Sequence, residues 1–549
     1  MTESESRWEF EAPDVARTRR WPASRDAAAT PAVVPRGRAR TTTVVLLDTS
    51  SRRLLRAGAA LRTSRRGRTL RAELVPLRAG AAVPSSFSED LDARDPGAVR
   101  HAPGPVGARV RLLVGRAPLR ELATVRVRER RFDLRDGVDV LGTLTIEDAM
   151  SPTGAAERPS SVTRVRVEPA SVHARLRLAP FVASMVAVLG LIEARAGAVE
   201  GWLAAAGVAV ARGPDLGGTA VSADSTLGEA AFATLRAQFA VFVDKEAGTR
   251  LGDDPEQLHD MRVASRRLRA AMRLFESALP ARLLALRENL ADVAAALGEV
   301  RDLDVQRERF AEWAARDPRL AAAVLDPRHR EEARRRMLAV LDSTRFRRFR
   351  RRFAAALRRG PARGDPAAAT PILAAAPDLV RARRRKVRKA AKRIVAESPS
   401  AAYHELRILC KRLRYALEFL GGAYGRPATD MARRVAEVQE LLGRHQDASV
   451  AIALVEGVLD RGDALPPATA FAMGVAAERS RHEAADLRRR FPRVYARMTG
   501  RPWRRLARTM KRLEPSAAGR TTASPKRARS VAPIPRVPSV PVRRESSAY

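Results

Sequence analysis

The segment HDMRVASRRLR, beginning at His259, returns 145 residues later as HELRILCKRLR, beginning at His404, with five of eleven positions identical and most of the rest conservative. A second pair stands at the same offset: LGEVRDLDV from Leu297 and LGRHQDASV from Leu442 share Leu, Gly, Asp302 with Asp447, and Val305 with Val450. Two separate matches at one spacing mark an internal duplication. A duplicated chain folds into two halves that resemble one another, and this constrains the region around the two copies more than any single residue does.

Placed on a helix at about 100° per residue, His259, Arg262, Arg266, Arg269 and Arg273 fall within a stripe roughly 80° wide, with Ala264, Leu268, Met272 and Phe275 opposite. The second copy sets His404, Arg407, Lys411 and Arg414 against Leu406, Leu413, Leu417 and Leu420, and Glu418 replaces the fourth arginine, so this stripe is one turn shorter. A solvated helix face usually mixes signs, whereas cations stacked at i, i+3 and i+4 repel by roughly a few tenths of a kcal/mol per pair. Carrying that repulsion twice points to an anion that offsets it. The histidines fit structural hydrogen bonding and ligand contact equally, and Asp302 and Asp447 read as partners that orient arginines. Two further cationic helices, RARRRKVRKAAKR over 381–393 and STRFRRFRRRF from Ser343, extend the charge. Arg385, Lys386, Lys389 and Arg393 are expected to join a shared basic channel, with ordinary solvated surface as the alternative.

Placement of charge matters because the total is extreme: 102 Lys+Arg against 62 Asp+Glu leave +40, which implies a polyanionic partner such as nucleic acid, polyphosphate or anionic membrane. The single cysteine, Cys410, excludes an intramolecular disulfide and a thiolate zinc cluster, as expected of a reducing compartment, with cytoplasm as the default. The opening MTESESRWEFE does not read as an export signal. The longest apolar run, Leu178 to Ile192, is broken by Pro180 and is shorter than the roughly 20 residues of a spanning helix, so a packed helix and no transmembrane segment are expected.

From about residue 40 to 170, TTTVVLLD, RTLRAELVPL, ARVRLLVG, ATVRVRERRFDL, VLGTLTIED and SVTRVRVEP predict short strands of one β-rich domain. From about 222 to 512 the period becomes 3.6, with breaks at Pro280, Pro318, Pro327, Gly360 to Pro366, Pro399 and Pro466, which predicts a helical bundle. The expected division is a β-rich domain over 1–205, a linker over 206–221, the helical domain over 222–512 and a disordered basic tail over 513–549.

The two histidine-led segments resemble the CHAD family, the conserved-histidine α-helical domain, whose hallmark is His-x-x-Arg-x-x-x-Arg/Lys-Arg-Leu-Arg in two helical halves. The pattern falls on His259, Arg262, Arg266, Arg267 and Arg269, and on His404, Arg407, Lys411, Arg412 and Arg414. The resemblance implies an all-α bundle with a basic pore or groove that binds inorganic polyphosphate, often at polyphosphate granules.

The N-terminal region is similar to the CYTH family, the triphosphate-tunnel fold often fused to CHAD, over LLDTSSRRLLRAGAALRTSRRG from Leu46, where Asp48, Thr49, Gly58 and Arg62 match. That resemblance implies an antiparallel barrel or tunnel, giving a multidomain α+β protein. Active CYTH enzymes hold a divalent metal with an opening Glu-x-Glu-x-Lys strand and later alternating acids. Here the opening strand aligns either as Glu3, Glu5 and Arg7 or, anchored on Pro13, as Glu5, Arg7 and Glu9. TRVRVEP from Thr163 sets Arg164 and Arg166 where acids are expected, leaving Glu168. Glu147 and Asp148 read as surface acids rather than alternative ligands. The expectation is a scaffold without catalytic residues that still holds anions through Arg62, Arg126 and Arg128, and no cofactor unless activity persists, in which case Mg²⁺ or Mn²⁺.

Three functions therefore stand: polyphosphate binding, backbone-only nucleic-acid binding, and a metal-dependent triphosphatase. Aromatics make up only 5% of the chain and neither cationic stripe carries one, so base stacking and sequence-specific nucleic-acid recognition lack support. No Gly-x-Ser-x-Gly, Cys/His or Gly-x-x-x-x-Gly-Lys-Ser/Thr arrangement supports a nucleophilic hydrolase or a nucleotide-binding loop.

Overall fold

The computed structural model describes residues 7–514, apart from 25–29, 78–81, 84, 93–94, 152–160, 195, 211–212, 214, 324–326 and 461–464. The tail after Pro515 and the acids Glu3 and Glu5 lie outside the described residues. The N-terminal region holds strands β1 (Trp8–Glu11), β2 (Ala32–Pro35), β3 (Arg40–Asp48), β4 (Ala59–Arg66), β5 (Thr69–Pro76), β6 (Phe87–Leu91), β7 (Arg120–Asp136), β8 (Asp139–Met150), β9 (Ser161–Pro169) and β10 (Ile192–Glu193). They form one antiparallel sheet in the order β10-β1-β9-β8-β7-β3-β4-β5-β6, with β2 added to β7. The antiparallel β domain is as expected, but β10 and β6 are edges among the described residues, so the sheet is open rather than a closed barrel.

Period-two alternation decides what each face carries. Val125 and Val127 of β7 are buried beside Leu46 and Trp202, on the face covered by helix α5 (Ala198–Ala205). The opposite face is covered by α3 (Pro105–Val114) over Leu61 and Leu74, and by α4 (Val172–Leu189), whose Leu178, Phe181 and Met185 pack on Leu144, Ile146 and Val165. Adjacent strand residues point to opposite faces, so Leu46 and Leu47 enter the two different cores, and the register shift between them leaves Leu122 of β7 as the extra residue. Two short helices complete this half, α1 (Val15–Arg20) and α2 (Arg53–Arg56). Helix α3 corrects the expectation of a strand at ARVRLLVG. Pro105 starts it, Val106, Val110, Leu113 and Val114 are buried at helical spacing, and Gly115 at φ 56 ends it. Among the described residues α4 is the one helix long and apolar enough to cross a membrane, and its buried side lies on the sheet.

The rest is helical: α6 (Leu227–Asp244), α7 (Glu246–Leu251), α8 (Pro255–Leu274), α9 (Ala281–Leu284), α10 (Arg287–Arg316), α11 (Pro327–Asp342), α12 (Thr344–Arg359), α13 (Pro366–Ala369), α14 (Ile372–Ala391), α15 (Ser400–Phe419), α16 (Gly421–Tyr424), α17 (Arg426–Asp460), α18 (Pro467–Met498) and α19 (Arg501–Leu513). Prolines stand at or just before the starts of α9, α11, α13, α15 and α18, where a missing N–H costs nothing. One continuous core runs through both halves, with Leu268 and Met272 of α8 and Leu413 and Leu417 of α15 among its members.

The duplication is visible in the backbone. Helices α6 and α14 begin 145 residues apart, as do α8 and α15. Leu227 N–H donates to Thr370 O at 2.8 Å and Ile372 N–H donates to Ser225 O at 2.9 Å. Donor and acceptor in one bond are each the 145-residue counterpart of those in the other, and Thr226 bridges its own counterpart, Pro371. A pseudo-twofold axis therefore passes between residues 226 and 371, and α8 packs on α15 across the two halves.

Candidate functional site

Helix α8 is set by Asp254, whose side chain accepts from Glu256 N at 2.9 Å, and by Pro255 in its first turn. Its apolar face, Leu258, Met261, Ala264, Leu268 and Met272, is buried, and the equivalent face of α15, Leu406, Cys410, Leu413 and Leu417, is buried likewise. Burial of these faces turns both cationic stripes outward. Burial also pushes the Cys410 thiol up to about 12, so this cysteine is a core residue rather than a nucleophile.

The stripes converge at Arg262, Arg266 and Arg407. Arg266 is half-buried and its guanidinium makes no hydrogen bond or ion pair among the described residues. Burial foremost, then the charges of Arg262 and Arg407, lower its pKa against the opposing influence of Tyr415 and Asp302. Arg262 Nη2 is held by Asp302 Oδ1 at 2.9 Å. That carboxylate is 63% exposed, and such an ion pair contributes about 0–1 kcal/mol, so an incoming anion can displace it. Arg407 Nε is buried without a hydrogen-bond partner. An unmet buried donor costs about 1–3 kcal/mol.

Two glycines lie against these arginines, at positions where a Cβ alone would make ordinary contact and a longer side chain would meet the guanidinium. A Cβ at Gly298 of α10 would stand 3.7 Å from Arg262 Nε, and one at Gly443 of α17 would stand 3.6 Å from Arg407 Nη2. Gly298 and Gly443 are 145-residue counterparts, as Arg262 and Arg407 are. The second sequence match thus sets a small residue against the corresponding arginine in each half.

The remaining expected residues are distributed unevenly. Arg267 pairs with Glu418 at 2.6 Å and lies over the Tyr415 and Phe419 rings, and Arg414 pairs with the same Glu418 at 3.4 Å. Glu418 thereby closes one end of the cationic stripe. Arg269, Arg273 and Arg412 are exposed, and Lys411 is half-buried. His404 Nδ1 stands 2.8 Å from Gln446 Oε1; an amide oxygen only accepts, so Nδ1 carries the proton in this contact. His259 is half-buried with no hydrogen bond from its ring among the described residues. Asp302 orients its arginine as expected, whereas Asp447 is not paired with Arg407.

Of the cationic helices, α14 packs on α15, but the arginine it turns toward Arg412 is Arg383. Arg385, Lys386, Lys389 and Arg393 are exposed. Helix α12 buries Phe346, Phe349 and Phe353 and packs mainly on α6, α9, α10 and α11. A residue not singled out from sequence is His445, buried on α17, whose Nε2 accepts from Arg488 Nε at 3.0 Å while its ring packs on Tyr403. Its counterpart in the first half is Val300, so the duplication gave no signal for it.

In the β domain, Arg62 is the register partner of Leu46, and Leu46 is the partner of Ala123, so Arg62 shares a face with Ala123, Val125 and Val127. Arg126 and Arg128 alternate with those valines and point to the other face. The three arginines do not form one site. On the α5 face the charges are engaged among themselves: Arg62 pairs with Glu73 at 2.8 Å and lies over Trp202, and Trp202 Nε1 donates to Glu147 at 2.8 Å. Arg164 faces Glu9 at 3.8 Å and Glu11 at 3.5 Å, and Arg166 faces Glu168 at 3.5 Å.

Glu147 and Asp148 are not surface acids. Glu147 is half-buried and desolvation raises its pKa, while Asp148 is buried on the opposite face with Thr163 and Arg19. Among the described residues no three His, Cys, Asp or Glu side chains gather to hold a metal ion. With Arg164 and Arg166 set among the α5-face acids, this donor set does not fit Mg²⁺ or Mn²⁺.

The family model for the CHAD domain matches residues 233–456. Among solved structures the chain is similar to PptA from Streptomyces chartreusis, at 26% identity over 50% of this chain and 100% of that one, with a TM-score of 0.41. It is also similar to the CHAD domain from the plant Ricinus communis, at 28% identity over 50% and 94% of the two chains, TM-score 0.44. A third, the Hippeastrum adenylyl cyclase candidate HpAC1, described as having a dominant triphosphatase activity, is 13% identical over 37% and 96%, TM-score 0.26. No curated protein matches the chain. Residues 233–456 of this chain, with their paired histidine-led helices across a pseudo-twofold axis, thus match the CHAD domain.

Proposed function

We propose that the CHAD domain binds inorganic polyphosphate along the α8–α15 seam, with Arg262, Arg266, Arg407 and Lys411 as the contacting cations and His259 and His404 flanking them. The observation that carries this reading is Arg266, a half-buried guanidinium beside two others with one exposed carboxylate nearby. A linear chain of phosphates supplies closely spaced oxygens to both halves at once, which a single carboxylate does not. The choice of polyphosphate over other polyanions rests on the family resemblance. Association with polyphosphate granules would follow from the same contacts.

Binding of this kind is dominated by phosphate contacts and counterion release, so affinity should fall steeply with salt. Titrating the full chain with long-chain polyphosphate, single-stranded RNA and duplex DNA at rising salt tests it. Polyphosphate should retain measurable binding at salt that abolishes the nucleic acids, and equal loss of all three would sink the proposal.

A further inference from the structure

Helix α19 packs on α14, α17 and α18, beyond the residues that match the CHAD model. Its 13 residues carry six cations and no acid, and it buries Trp503, Leu506 and Met510. Gly500, at φ 70, turns the chain out of α18, and Pro502 stands in the first turn of α19, so Trp503 comes back against α14. There the Arg384 guanidinium lies over the Trp503 ring, 4.0 Å from its centroid. Arg384, Arg388, Tyr495 and Trp503 line one small pocket together with Leu413 and Met431. Leu413 belongs to the buried face of α15, opposite Arg407 and Lys411, so the pocket is separate from the cationic stripe.

The pocket is one-sided in charge: two cations and no Asp or Glu line it. The single acid of α14, Asp378, pairs with Arg381 at 3.5 Å, and the last acid of α18, Asp486, pairs with Arg489 and Arg490 at 3.4 and 3.6 Å. Among the described residues neither Arg384, Arg388 nor the Tyr495 hydroxyl makes a hydrogen bond or an ion pair. Partial burial foremost, then Arg388, lower the Arg384 pKa against the opposing influence of Tyr495. The indole holds the planar guanidinium in place while its N–H edge stays free to donate, so part of the ordering that binding requires is already present in the fold. Inside, the pocket has about 20 Å³, and one water needs roughly 10–15 Å³, so it seats one oxygen and excludes a nucleobase.

We infer that this pocket binds the terminal phosphate of a short inorganic phosphate chain, with one oxygen seated against Arg384 and Tyr495 and the others taken by the exposed Arg388. A terminal phosphate offers three free oxygens and about two charges to the two cations and the phenol, whereas an internal phosphate offers fewer of both. The pocket and the stripe lie on opposite faces of α15, so either can fail without the other.

The test uses the full chain carrying Arg262→Ala, Arg266→Ala, Arg407→Ala and Lys411→Ala, titrated with inorganic pyrophosphate by calorimetry at low salt. Binding at a single residual site is expected, and cyclic trimetaphosphate, which has no terminal phosphate, should bind at least about tenfold more weakly. Adding Arg384→Gln and Arg388→Gln together should weaken pyrophosphate about ten- to a hundredfold, the loss of one or two charge-assisted hydrogen bonds. Arg384→Gln also gives up the stacking on Trp503, so Arg388→Gln alone separates binding from folding: its side chain is exposed, and it should weaken pyrophosphate with the melting temperature unchanged. No pyrophosphate binding in the stripe variant, equal binding of trimetaphosphate, or binding that the glutamine variants leave intact would overturn the pocket. If instead the stripe substitutions cost no affinity for long-chain polyphosphate, the proposed function fails, and the pyrophosphate titration still decides the pocket.

Discussion

Arg266 and Glu418 show how one residue can decide whether a cation binds or merely packs. Both lie at the meeting of α8 and α15, yet Arg266 has only like charges and one shared carboxylate around it, while Glu418 holds Arg267 and Arg414. Arg266→Ala should therefore lower polyphosphate affinity about tenfold with little loss of stability. Glu418→Gln should instead cost about 1–2 kcal/mol of stability with affinity retained, since it leaves two cations without their partner. Calorimetric titration together with denaturant unfolding separates the two effects. His445 gives a pH signature of its own. Burial and Arg488 push its pKa down from 6.5 to about 4. The unfolded chain therefore takes up a proton first as pH falls, so this stability is fully present above about 6.5 and is lost toward pH 4. His445→Gln, which keeps an acceptor for Arg488, should flatten the unfolding midpoint between pH 4.5 and 7; an unaltered slope would show that His445 is not the titrating group.

Among elements, the paired helices were legible because a repeat and a 3.6-residue period are both written in one dimension. Leu268 and Leu413 in the core, and Arg262 and Arg407 outward, follow from that periodicity alone. The 145-residue match of α6 with α14 was not legible, since those helices share position and packing but little sequence. Nor was the separation of Arg62 from Arg126 and Arg128, because it depends on β3 standing between β4 and β7 and on its register with each. ARVRLLVG alternates like a strand yet is a helix, since its Val110 and Val114, with Val106 before them, also satisfy i, i+4 and i+8 spacing. The conserved spacing of Gly298 and Gly443 yields an element-level prediction. Gly443→Ala should bind polyphosphate normally, because its Cβ would make ordinary contact at 3.6 Å, whereas Gly443→Leu should displace Arg407 and weaken binding without unfolding α17. Equal affinities of the Ala and Leu variants would show that Arg407 does not need its place over the glycine.

At the scale of the whole molecule, a β domain whose α5-face charges are paired with one another is joined to a helical domain whose stripes leave Arg266 and Arg407 without an ion-pair partner among the described residues. Because Arg164 and Arg166 stand among the acids of the first arrangement, the full chain with Mg²⁺ or Mn²⁺ is expected to release no phosphate from tripolyphosphate above background in a malachite-green assay. Release abolished by Glu9→Ala or Glu11→Ala would reverse that reading. The second arrangement carries the central claim, that duplicated helices bring cations of both halves to one polyanion. Its most direct measurement is the affinity of the full chain for long-chain polyphosphate across a salt series, with and without Arg262→Ala, Arg266→Ala, Arg407→Ala and Lys411→Ala together. A loss of at least about a hundredfold is expected, with the slope of log affinity against log salt shallower by roughly 0.7 for each cation removed. An unchanged affinity and slope would contradict it, and would make the two stripes solvated helix faces.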